Sequence, residues 1–181
     1  MPLAVDATVG GPNANSFQTV AEIDNYFLGR VPSSVAAQWN ALSATDKIAA
    51  AVMSTTWITA LVHWTSFPVS AAQALPWPQY GQVKRSGIAM VPLDIIPQEL
   101  KNCQAEIALY LAQEDRIADF DPIKFGINKL KVGSIDLEFR EKIPVQDQPP
   151  VIPSTLWDLL VPSWVDYIED GSSGTREVGR A

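Results

Sequence analysis

Apolar positions in this chain recur first at the helical interval. Thr19 and Glu22 stand at capping-box spacing, the hydroxyl placed to accept the N3 amide while the carboxylate reaches back, so a helix is predicted from about Val20 to Gly29. Its buried face would be Ile23, Tyr26 and Phe27. Ser43 and Asp46 repeat that signal, and Ile48, Val52, Met53, Trp57, Ala60, Leu61 and Trp64 follow at helical spacing, which predicts a long second helix. A shorter helical piece around Ala36 to Leu42 is expected before it.

The pattern then breaks. Between Thr65 and Ile96 stand Pro68, Pro76, Pro78 and Pro92, which lack amide donors and fix the backbone locally, so a wrapped loop is expected in place of regular structure. Pro97 suits the first turn of a helix, where a missing amide costs nothing. Leu100, Cys103, Ile107, Tyr110 and Leu111 mark one face of that helix to about Arg116, and it should be the central packing element.

A β-hairpin follows near residues 127–141. A two-residue turn at Gly133 and Ser134 places Val132 opposite Ile135, Lys131 opposite Asp136, Leu130 opposite Leu137 and Lys129 opposite Glu138. One face is aliphatic and the other cross-paired in charge; because an isolated hairpin is marginal in water, the aliphatic face needs a support. Pro144, Pro149, Pro150 and Pro153 then make an extended connector, and Leu156, Trp157, Leu160, Trp164, Val165 and Ile168 suggest a final helix bent near Pro162. The fold class expected is mainly α, a small helical bundle with one β-hairpin and extended proline-rich arms. It forms a single domain over residues 1–170, with a flexible tail at 171–181 that lacks any apolar period.

Composition changes this picture little. At 181 residues with 47 % apolar residues the chain suits one folded domain. A single cysteine excludes an internal disulfide, and no leader pattern or long apolar run is seen, so synthesis in the cytoplasm without a membrane span is expected. The formal charge of −7 opposes the simplest picture of a DNA binder, since phosphate affinity comes mainly from Lys and Arg. Of the stretches Asp94–Asp121, Lys124–Lys142 and Asp147–Asp170, only the middle one holds a basic excess that could offer a positive patch.

Candidate chemistry is sparse. One His and one Cys cannot build the common zinc sites, and neither a metal nor a cofactor is expected. His63, near a predicted helix end, reads as a capping or packing residue, and Cys103, on the apolar face of its helix, as a packing thiol. Glu114, Asp115, Asp119 and Asp121 read as a solvated helix end, and the Gly-Ser-Ser-Gly-Thr-Arg run from Gly171 lacks the Lys and following helix of a phosphate loop. No nucleophile, base and orienter converge in sequence, so no enzyme activity is expected. The best nucleic-acid constellation is Trp77 with Tyr80, just before Lys84 and Arg85, because aromatic rings stack on unpaired bases. Against it, aromatic side chains in proline-rich wraps more often plug a core or a subunit contact than stack on bases.

The Gly10-Gly11-Pro12-Asn13-Ala14-Asn15-Ser16-Phe17 entry, the Leu75-Pro76-Trp77-Pro78 loop, the helix led by Ile96-Pro97, the Lys131 to Phe139 hairpin and the Leu156 to Pro162 ending occur in order over most of the chain. Together they resemble a phage protein family at the junction of head and tail, whose members are often labelled DnaT-like single-strand DNA binders. The resemblance implies a helical core with a projecting hairpin. As favoured function it implies a structural, virion-located head-to-tail adaptor, forming a dodecameric ring beneath the portal through which double-stranded DNA passes without specific binding. Its partners would be further copies of the chain, the portal protein and neck or tail proteins such as a stopper, terminator or tail tube, with no membrane. The interface residues it implies are Leu130, Val132, Ile135, Leu137 and Phe139 of the hairpin and Trp164, Arg176 and Arg180 of the C-terminal segment. The alternative is a single-strand DNA-binding replication accessory protein, with Trp77, Tyr80, Lys84 and Arg85 as its contacts.

Overall fold

The computed structural model describes residues 3–113, 129–132, 135–138 and 152–167. They fall in two compact units, Met1–Asp115 with Ile152–Ile168, and Arg116–Val151 with Glu169–Ala181. The fold is mainly helical. In the first unit lie α1 (Val20–Leu28), α2 (Ser33–Asn40), α3 (Ala44–Leu61), β1 (Val62–Trp64), α4 (Gln98–Gln113), α5 (Ser154–Trp157) and a last strand, β4 (Val165–Tyr167); the second holds the strands β2 (Lys129–Val132) and β3 (Ile135–Glu138).

Helix α1 begins as its sequence dictates. Thr19 accepts the amide of Glu22, and the Glu22 carboxylate accepts the Thr19 amide at 2.8 Å, a complete capping box. The same carboxylate pairs with Lys101 of α4, so the cap also ties α1 to the central helix. Ser43 caps α3 by accepting the Asp46 amide at 3.1 Å. Before α1, Asn15 Oδ1 accepts the Asp6 amide at 2.8 Å and Asn15 Nδ2 donates to the Ala4 carbonyl at 2.9 Å. These bonds turn the N-terminal entry so that Phe17 enters the core at 1 % exposure.

Helices α3 and α4 pack most extensively, and the residues that meet are small. Ala50, Ala51, Ser54, Thr55 and Ile58 of α3 are buried, whereas Met53 and Ala60, on the face expected from periodicity, are exposed. Small side chains allow close backbone approach, and the hydroxyls are satisfied inside the helix, Ser54 and Thr55 each donating to the Ala51 carbonyl. From α4 the buried Gln104 amide reaches Ser16 Oγ at 2.7 Å and both the Ala51 carbonyl and Thr55 Oγ1 at 2.9 Å. A polar residue thus closes the seam between the two helices and the entry loop.

Two expected helical stretches take another form. α3 stops at Leu61 and Val62–Trp64 pairs antiparallel with Val165–Tyr167, so that the region read as the end of a long helix and the region read as a bent final helix form one small sheet. β-branched Val62 and Val165 favour the extended state, and Pro162, with no amide to donate, cannot continue a helix from α5. The hairpin has the predicted register, Lys129 with Glu138 through Val132 with Ile135. Its turn at Gly133 and Ser134, and the tail from Gly171, lie outside the described residues.

Candidate nucleic-acid interface

The proline-rich segment between β1 and α4 wraps over a cluster of three tryptophans. The Trp77 ring lies 5.9 Å from that of Trp64 and 4.9 Å from that of Trp164, its indole N–H donates to the Ile95 carbonyl at 3.1 Å, and it is 1 % exposed. Trp77 therefore offers no ring face to a base: it is a core plug, the role expected more often of aromatic residues in a proline-rich wrap, and it drops out of the nucleic-acid constellation. Trp164, expected to dock on a partner, is fully buried in the same cluster and donates to the Val83 carbonyl at 2.6 Å. Both residues hold the wrap onto the helices.

What the wrap presents outward is different. Residues 67–69 and 78–80 run antiparallel, with Val69 N–H donating to the Pro78 carbonyl at 3.1 Å and Tyr80 N–H to the Phe67 carbonyl at 3.0 Å. Phe67 is thereby set opposite Tyr80, and residues facing each other across paired strands project from the same side. Phe67 is 81 % exposed and Tyr80 51 %; among the residues whose side chains are described no other Phe, Tyr or Trp is exposed. The Tyr80 hydroxyl contacts the Val69 carbonyl at 3.4 Å, which steadies its ring against the wrap. Sequence reading found Tyr80 and missed Phe67, since its partner stands thirteen positions away in sequence.

Lys84 and Arg85 follow in a tight turn, both exposed. Arg85 is partly spent: its Nη2 reaches the carbonyls of Asp158, Leu159 and Leu160 at 3.2, 2.8 and 3.0 Å. No Asp or Glu occurs from Lys47 to Leu93, a span of 47 residues in a chain with 20 acidic residues, and the acidic residue of the segment that Arg85 reaches is the exposed Asp158.

The other sequence candidates are dispersed. Cys103 is buried on α4 with its thiol contacting the Leu156 carbonyl, and burial pushes its pKa far up, so it is a packing group. His63 is exposed in β1, paired with Asp166, and caps no helix. Leu130, Val132, Ile135 and Leu137 take their places in the hairpin; Phe139, Arg176, Arg180 and the cluster of Glu114, Asp115, Asp119 and Asp121 lie outside the described residues. Among the described residues no group of three His, Cys, Asp or Glu side chains comes together, and no helix is long and apolar enough to cross a membrane.

Comparison with known families gives a match over residues 1–181 to the family described as "Putative DnaT-like ssDNA binding protein". The chain belongs to this family. No curated protein and no solved structure matches it. The DnaT-like assignment overturns the head-to-tail adaptor expected from resemblance and favours the alternative held beside it. The virion location, the dodecameric ring and the portal, stopper, terminator and tail-tube partners belonged to the adaptor expectation, and no comparison carries them.

Proposed function

We propose that this chain binds single-stranded DNA, without catalysis, through the outer side of the wrap, with Phe67 and Tyr80 as base-stacking platforms and Lys84 as the phosphate contact. The observation that carries this reading is the exposed cross-strand pair of aromatic residues on an acid-free stretch, in a chain of a family described as DnaT-like. Stacking on an aromatic side chain contributes about 1–3 kcal/mol per base and tolerates any sequence, because every base has a π-face. Electrostatics contributes less here. With Lys84 and the partly engaged Arg85 as the cations of this face, one or two phosphates are neutralised, and the slope of log K against log salt for a single strand is then only about −0.7 to −1.4.

Fluorescence anisotropy of a labelled oligothymidine across a salt series tests the proposal. The expected result is saturable binding with that shallow slope and weak discrimination among base compositions. A slope of about −4 or steeper would place binding on a basic surface elsewhere in the chain, and absence of binding at low salt would remove the reading.

A further inference from the structure

Beyond Tyr80 the wrap forms a small finger. Val83 and Met90 bridge antiparallel, Val91 N–H donates to the Gln82 carbonyl and Lys84 N–H to the Ala89 carbonyl, each at 2.8 Å. Gly87, at φ +72°, closes the tip with its amide on the Lys84 carbonyl at 2.8 Å. That left-handed backbone is free for glycine and strained for other residues. Two braces anchor the base of the finger, the Trp164 indole on the Val83 carbonyl and the Arg85 guanidinium on the Asp158, Leu159 and Leu160 carbonyls. At its tip stands Ile88, 92 % exposed, with Met90 at 58 %. Ile88 is the most exposed large apolar residue among those whose side chains are described.

A braced hairpin that carries an aliphatic side chain into solvent beside a lysine has the chemistry of a wedge. Apolar side chains of this size insert at base steps or cap an end base pair, while a neighbouring cation holds the phosphate.

Resting on the single-strand reading above, we propose that the DNA this chain prefers is a single strand emerging from a duplex, with Ile88 packed on the last base pair and the unpaired bases on Phe67 and Tyr80. Lys84 neutralises the junction phosphate. A second copy of the chain is the competing occupant of Ile88, and the experiment separates the two.

Anisotropy titrations of the full chain compare an oligonucleotide as a free single strand with the same strand extending from a stable duplex stem, for wild type and Ile88→Ser. A 2-aminopurine in the terminal pair reports the change in its environment when a side chain packs on it. Burial of one aliphatic side chain predicts about tenfold tighter binding to the stem-and-tail DNA. Ile88→Ser should abolish that preference and the 2-aminopurine signal while leaving single-strand affinity unchanged. Equal wild-type affinity for the two DNAs would overturn the wedge and leave the single-strand reading standing, whereas no binding to either would remove both. A change in sedimentation of the free protein on Ile88→Ser, with the DNA preference intact, would assign Ile88 to a contact between copies and overturn the wedge.

Discussion

Tyr80 gives its backbone amide to the carbonyl of Phe67 across 3.0 Å, and that single bond sets opposite one another the two aromatic side chains that the wrap leaves in solvent. The pairing converts two residues far apart in sequence into one platform. Because the ring, and not the hydroxyl, does the stacking, Tyr80→Phe should keep single-strand affinity within about twofold, while Tyr80→Leu should weaken it by about 1–3 kcal/mol. Anisotropy titration of the two variants distinguishes them; equal losses would assign the binding to the hydroxyl.

Trp77 should act on stability and not directly on DNA. Truncating a fully buried Trp typically costs about 3–5 kcal/mol, and here it also strands the Ile95 carbonyl, so Trp77→Ala is expected to lower the urea midpoint strongly. Trp77→Phe retains most of the packing and should lower it less, with single-strand affinity unchanged in the folded variant. A selective loss of binding in stable Trp77→Phe would contradict the interior role.

That residue also marks where sequence legibility ended. The capping box at Thr19, the Ser43 cap, the proline-led α4 and the hairpin register were all readable, because each depends on neighbours within a few positions. For Trp77 a plug was the favoured reading, but whether it fills the chain's own core or a subunit contact was not legible, since that depends on Trp64 and Trp164 arriving from distant segments. The same limit applies to Val62–Trp64. Its extended state is fixed by pairing with Val165–Tyr167, about a hundred residues on, while its apolar spacing continues the helical pattern of α3. The core face of α3 was misread for a related reason: hydrophobicity points to Val52 and Met53, but close packing on α4 selects Ala50, Ala51, Ser54 and Thr55.

Arg85 should behave as a brace. Its guanidinium satisfies three carbonyls after α5, and hydrogen bonds to charged groups contribute about 1.5–3 kcal/mol when sheltered and less at an exposed position. Arg85→Ala is expected to destabilise by about 1 kcal/mol and to raise amide exchange around Leu159 and Leu160. Arg85→Lys should recover only part of this, because an ammonium is a strongly hydrated point charge on a shorter side chain and does not reproduce the position of Nη2. Full recovery by lysine, measured by thermal melts, would show that charge alone matters.

Stability should fall in acid through Glu22 and Asp24. Burial, the largest single influence on each, pushes their pKa values up, but the hydrogen bonds and charge of Lys101 with the Thr19 bonds for Glu22, and of Lys47 with the Trp39 indole for Asp24, outweigh it. Both folded values are below the ordinary 4.5 and 3.8, so in that window the unfolded chain binds more protons and stability rises with pH. The contribution is present in full above the ordinary values and is lost as pH drops through the folded ones. Glu22→Gln, which keeps a capping amide but removes the charge, should flatten the decline below about pH 4.5 in denaturant titrations. An unchanged decline would mean the Lys101 pair adds nothing.

The most direct measurement is single-strand binding by Phe67→Ala/Tyr80→Ala, set against wild type at low salt, with the thermal midpoint of both proteins as the control for folding. Two stacked rings at about 1–3 kcal/mol each predict a loss of at least about thirtyfold in a variant that melts like wild type. Undiminished binding by the stable double variant would contradict the assignment of this surface to single-stranded DNA.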